Sequence, residues 1–137
     1  MDNFVKRYIQ IISSIIFLGI VYWVISLDFR ASELNDLLAR QPELAAYPYT
    51  FDVISLKNGV ATISSPRSAN VPATLVLKVL FPELKTFDIQ SDAMQDAQKN
   101  LAYIQSKAAK TVLEQEDVKR VAWQLDTRWL ENHGIRY

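Results

Sequence analysis

Twenty consecutive uncharged residues, Tyr8 to Leu27, constrain this chain more than any other feature in it. At about 1.5 Å per residue a helix of that length covers roughly 30 Å, the thickness of a bilayer's hydrocarbon core. Twelve of the twenty are Ile, Leu, Val or Phe. Each favours insertion by about 0.3 to 0.6 kcal/mol near the helix centre. The sum outweighs Gln10 and the serines at 13, 14 and 26. Tyr8 at one end and Tyr22-Trp23 near the other suit the two membrane interfaces. The expectation is one transmembrane helix over 8–27 in contact with the lipid bilayer. A cleaved signal peptide is the rival, with Val24-Ile25-Ser26 as its cleavage pattern. The apolar run exceeds the usual signal core of about 7–15 residues, and bulky Tyr22 and Trp23 crowd that site.

Lys6 and Arg7 stand directly before the apolar run, whereas Arg30 and Arg40 follow it at a greater distance. The positive-inside rule then places residues 1–7 in the cytoplasm and the rest of the chain outside it. In a Gram-negative cell this means the inner membrane with a periplasmic C-terminal domain. Gln10, Ser13 and Ser14 fall within one helical turn, and Gly19 adds a small residue further along. Such a set marks a helix-contact stripe in a membrane. The plainer reading has Gln10 at the interface and the serines bonded back to their own helix.

About 110 of the 137 residues remain beyond the anchor, enough for one domain with a modest core. They carry thirteen basic and fourteen acidic residues, so no single-sign field surrounds them. Nucleic-acid binding, which leaves a basic footprint, is excluded on that ground. The absence of cysteine removes disulfide scaffolds, thiol catalysis and thiolate metal sites together.

Residues 28–48 read as a connector with one short helix, Ser32 as its N-cap and Leu34, Leu37 and Leu38 along one side, either a rigid stalk or folded onto the domain. Pro42 and Pro48 then interrupt it. Residues 49–137 form the domain. Tyr49–Leu56 and Val60–Ile63 flank Asn58-Gly59, the signature of a tight hairpin whose turn residues take positive φ. Residues 64–70 are a loop. Residues 71–84 carry both a helical and an alternating pattern; the helix is preferred, started by Asn70 with Pro72 in its first turn and ended near Pro82. Ser91 to Glu114 is the clearest helix of the domain, with Met94, Ala97, Leu101, Ile104 and Ala108 at helical spacing. That stripe is a coiled-coil seam or, preferably, the face packed on the domain's own sheet. Val118–Leu125 reads as a strand, and Asp126 caps a last helix that ends before Gly134. The fold class expected is α+β: a transmembrane helix, then a hairpin and a further strand covered by one or two helices.

No residue is assigned a catalytic, cofactor-binding or metal-ligating role. His133 is the single histidine, and on a charged terminal helix a solvated side chain outweighs a metal or general-base role. Glu114, Glu116 and Asp117 occupy a turn, and the serines at 64, 65 and 68 have no visible activating base. Three glycines cannot build a phosphate cradle. Arg128 and Trp129 are the candidate interface pair, since exposed Arg and Trp often anchor contacts; Trp123, in a strand, is equally a core residue. Residues 59–63, with the helix over 91–114 leading into Val118–Val121, resemble steps of a BON domain. Residues 65–90 depart from that pattern, and the family is not adopted.

The function expected is a non-enzymatic accessory or scaffold subunit of a larger membrane complex, its partners being other membrane subunits. The alternative is an anchored envelope module that binds a lipid or small ligand in an apolar pocket, for instance between 71–84 and the long helix.

Overall fold

A computed structural model describes residues 2–137; Met1 and the side chains of Leu27 and Asp28 lie outside the described residues. Helix α1 runs unbroken from Asp2 to Ala39. Between Gly19 and Pro42 the sequence holds neither glycine nor proline, and after Asp28 it is rich in Leu, Ala, Arg and Glu. Residues of that kind continue a helix once it has formed. Ser32 therefore lies inside α1 and caps nothing, contrary to the expected helix start there. The helix stops at Ala39, shortly before Pro42, which cannot continue an α-helical ladder.

The two parts of α1 have opposite surroundings. Its apolar stretch has a mean hydropathy of 2.1 and none of it is buried, so it is long and apolar enough to cross a membrane. Past Arg30, Ala31, Leu34 and Leu38 recur at steps of three and four and are buried in the domain core. The expected connector helix thus folds onto the domain and supplies part of its core.

The remaining elements are α2 (Pro42–Ala46), β1 (Val53–Lys57), β2 (Val60–Ser65), α3 (Ala73–Leu80), a 3-10 turn (Pro82–Thr86), α4 (Asp92–Leu113), β3 (Arg120–Leu125) and α5 (Thr127–Asn132). They make a mixed α+β fold around a three-stranded sheet of order β1-β2-β3. β1 and β2 are antiparallel, whereas β3 joins β2 in parallel, after a crossover through α3 and α4. A bulge between Val53 and Ser55 rephases β1, so that Val53 and Leu56, three apart, both point inward. The first strand begins at Val53; Tyr49 and Phe51 precede it and are buried nonetheless.

At the hairpin turn Asn58 has φ 51° and Gly59 φ 77°. A Cβ on Gly59 would also stand 2.9 Å from the Lys119 side chain. Gly59→Ala is expected to cost about 1–2 kcal/mol through left-handed strain alone. Its urea midpoint, measured on the full chain in detergent, should fall accordingly, and an unchanged midpoint would contradict the assigned turn.

Ser91 caps α4 by accepting from the Met94 N–H. Met94, Leu101, Ile104, Ala108 and Val112 of that helix are buried, so its stripe faces the domain's own core. For α3 the helical reading holds, with Val76 and Leu77 buried, but Pro72 itself occupies the N-cap position and Asn70 makes no cap. Asp126 caps α5 through the Trp129 N–H, and Gly134 follows with φ 71°. Val71, Val76 and Leu130 close a small second cluster that ties α5 to α3.

Candidate functional site

Where α1 enters the domain, Arg30 forks onto Asp117: Nε donates to Oδ2 at 2.6 Å and an Nη to Oδ1 at 2.7 Å. The other Nη donates to Glu33 at 2.7 Å. Two parallel bonds from a planar guanidinium fix direction as well as distance. They pin α1, three residues beyond Leu27, to the loop between α4 and β3. The hydrogen bonds from Arg30 hold the Asp117 carboxyl below its ordinary value of 3.8.

A carboxyl depressed in the folded state adds stability above its unfolded pKa, and that stability is lost as pH falls through the folded value. With 27% and 48% of these side chains exposed, solvent screening limits the pair to about 1 kcal/mol or less. Asp117→Asn should lower stability by up to that amount near pH 7 and by less near pH 2, as the folded carboxyl becomes protonated. Urea midpoints of both proteins at the two pH values check this; a gap that persists unchanged in acid contradicts it.

Asn35, one turn further along α1, satisfies both main-chain groups of Val53. Its Nδ2 donates to the carbonyl at 3.1 Å, and its Oδ1 accepts from the N–H at 2.6 Å. The helix therefore closes the start of β1, which is an edge strand.

At this same end of the sheet Tyr49 gathers the aromatic residues. Its hydroxyl donates to Asp126 Oδ2 at 2.9 Å and lies 3.1 Å from Ser64 Oγ. Burial, first of all, raises its pKa. Its ring meets Phe51 at 4.9 Å and Trp129 at 5.4 Å, both edge to face. Trp129 in turn carries the His133 ring at 4.3 Å, and His133 Nδ1 lies 2.7 Å from the Trp129 carbonyl.

The sequence-derived candidates are thus distributed over separate places. Gln10, Ser13 and Ser14 share one exposed side of α1, and the Ser14 hydroxyl donates to the Gln10 carbonyl at 2.8 Å. Gly19 lies nine residues from Gln10, about two and a half turns, and so on the opposite side. Trp129 is half-buried against Tyr49, while its neighbour Arg128 is exposed. Trp123 is the more open tryptophan at 40% exposure, although its ring also meets Phe51 at 6.1 Å. Among the described residues no group of three or more His, Asp or Glu is placed to hold a metal ion.

Between 71–84 and α4, expected to hold any ligand pocket, Leu77, Met94 and Leu101 are buried in the core, and an open cleft of about 250 Å³ remains among Phe81, Leu84, Ala97 and Asn100. A cleft of about 380 Å³ lies elsewhere, between the end of α1, α2 and the segment before β1. Asp36 and Asp52 flank a lining that includes Leu38, Leu44 and Phe51. Burial, with the charge of Asp126, raises the Asp52 pKa.

Comparison with known proteins finds no match: no family model, curated protein or solved structure is significantly similar to the chain.

Sequence reasoning did not find Arg30, Asn35 or Tyr49. A polar Asn35 beside Leu34 and Leu38 was the one available signal, because a helix face entering a core keeps a polar residue only where something pairs with it. Arg30 and Asp117 are 87 residues apart, and nothing local links them.

Proposed function

We propose that this chain is a non-enzymatic accessory or scaffold subunit of a larger membrane protein complex. Residues 8–27 anchor it in the inner membrane with the N-terminus cytoplasmic and the domain in the periplasm, docked on a partner. The observation that carries this reading is the single helix that leaves the apolar stretch and enters the domain core. A flexible linker would let a tethered domain wander over a shell of positions. A continuous helix, locked by the Arg30–Asp117 fork, holds the domain at one height and one rotation above its anchor. That arrangement suits docking on a neighbour in the same membrane, since less orientational freedom is lost on association.

Ile9, Ile16, Phe17 and Leu18 on the anchor are exposed, which suits lipid and partner helices. The face of Gln10, Ser13 and Ser14 is the helix-contact candidate. The Ser14 hydroxyl already serves its own helix, so Gln10 and Ser13 are the groups available for a bond across.

A pull-down on the tagged full chain in mild detergent tests the reading, repeated with Gln10, Ser13 and Ser14 all changed to Leu. A defined set of partners supports it, and loss in the triple variant assigns the contact to the anchor. Monodisperse, partner-free protein contradicts it and favours the second reading, an envelope module binding a lipid or small ligand. That second reading draws on the cleft beside Asp36 and Asp52.

A further inference from the structure

We propose that the outer edge of β3 is a strand-addition site for an extended, acid-ended segment of a different protein. The proposal rests on the subunit reading and names where the domain docks.

β3 is bonded on one side only. The Arg120 N–H donates to the Gly59 carbonyl at 3.1 Å and the Asp126 N–H to the Ser65 carbonyl at 2.8 Å. In a parallel ladder successive residues face alternate sides, so 120, 122, 124 and 126 face β2. The main-chain groups of Val121, Trp123 and Leu125 therefore point outward, and no hydrogen bond within the described residues reaches them. Folded proteins usually guard such an edge. The opposite edge of this same sheet is guarded, because Asn35 occupies both main-chain groups of Val53. The β3 edge has no proline, no bulge and no covering amide, and Trp123 and Gln124 beside it are exposed.

The side chains set the chemistry of the occupant. Val121, Trp123 and Leu125 lie opposite Ala61, Ile63 and Ser65, all buried, so an added strand would set apolar residues beside Trp123. Arg120 at one end and Arg128 just past the other are exposed and make no side-chain hydrogen bond among the described residues. Of the carboxylates near the two ends of β3, Asp117 is engaged by Arg30, Asp126 by Tyr49 and the Trp129 N–H, and Glu131 by the Tyr137 hydroxyl. Acidic residues at the ends of the incoming strand complement both cations.

A second copy of this chain does not fit. β3 starts next to the loop whose Asp117 bonds Arg30, close to the anchor, and runs away from it. Two copies in one membrane share that direction, so antiparallel pairing would set their anchors on opposite sides. Parallel pairing about a two-fold axis would bring like residues level, whereas a parallel ladder sets each edge-facing residue beside one that faces away. The occupant is a heterologous strand.

The test uses the full chain in detergent and a peptide probe of alternating valine and threonine with glutamate at both ends. Its counterpart ends in lysine. Amide hydrogen exchange at Val121, Trp123 and Leu125 should slow about tenfold or more with the glutamate peptide only. Val121→Pro removes an outward N–H and no ladder bond, so it should abolish protection at the edge while Ala122 and Gln124, on the β2 ladder, stay protected; the thermal midpoint falls only by the loss of the Val121 packing on the core. Arg120→Glu, which leaves the backbone alone, should shift preference toward the lysine peptide. No protection, or equal protection by both peptides, overturns the proposal. So does a cross-link between two copies through Gln124→Cys. In the pull-down, partners kept by Val121→Pro overturn the edge assignment and leave the subunit reading standing. Absence of partners from the unmodified chain as well removes the subunit reading itself.

Discussion

Leu34→Ala is expected to destabilise the domain by about 2–5 kcal/mol, as for other fully buried leucines. The residue stands on α1 at 0% exposure, between Ala31 and Leu38 in the main core cluster. The sequence leaves its helix either a stalk, where the same change would be nearly silent, or an element folded onto the domain. The expected size follows from the lost methyl groups together with the cavity left between α1 and β1. Leu37, partly buried on the same helix, provides the comparison, and Leu37→Ala should cost clearly less. Urea unfolding of the full chain in detergent, followed by tryptophan fluorescence, gives both values. Equal and small effects would mean that α1 is not part of the core.

Tyr49→Ala carries the second large effect, about 3–5 kcal/mol, the range for aromatic truncation in a core. Tyr49 is 2% exposed and its ring touches Phe51 and Trp129. Tyr49→Phe keeps those ring contacts and removes the hydroxyl that donates to Asp126. It should cost about 1–2 kcal/mol, the net worth of a hydrogen bond to a charged group in partly buried surroundings. The difference between the two variants separates packing from polar contact. Near-equal losses would place the stabilisation in the hydroxyl network instead, and comparable retention of stability by both would contradict the hub.

Local chemistry explains which parts of this fold were legible in advance. Asn58-Gly59 needs positive φ, and both residues have it. Ser91 and Asp126 accept from the N–H groups three residues on, and the α4 stripe recurs at helical steps, so these elements follow from short-range rules. What was misread depends on distant residues. Ser32 resembles a cap, but capping matters only where a helix starts, and α1 arrives there already formed. Trp129, read as the better contact candidate, is half-buried because Tyr49, far from it in sequence, packs on its ring, while Trp123, left open between core and interface, lies at the sheet edge. The bulge at Val53–Ser55 and the parallel pairing of β3 with β2 are likewise set by partners rather than by pattern.

For the candidate contact residues, helical spacing was sufficient to unite Gln10, Ser13 and Ser14, whereas Gly19, read with them, falls on the opposite side of the continuous helix. The pinning of the helix to the loop at Asp117 was not legible, since ion pairs across a fold leave no mark in either neighbourhood.

The most direct test of a domain held rigidly on its membrane helix is amide hydrogen exchange along α1 in the full chain reconstituted in lipid nanodiscs. Slow exchange that continues without a gap from Val24 through Leu38 is the predicted result. A window of fast exchange between Asp28 and Glu33 would reveal a hinge there, and would contradict the fixed presentation on which the proposed function depends.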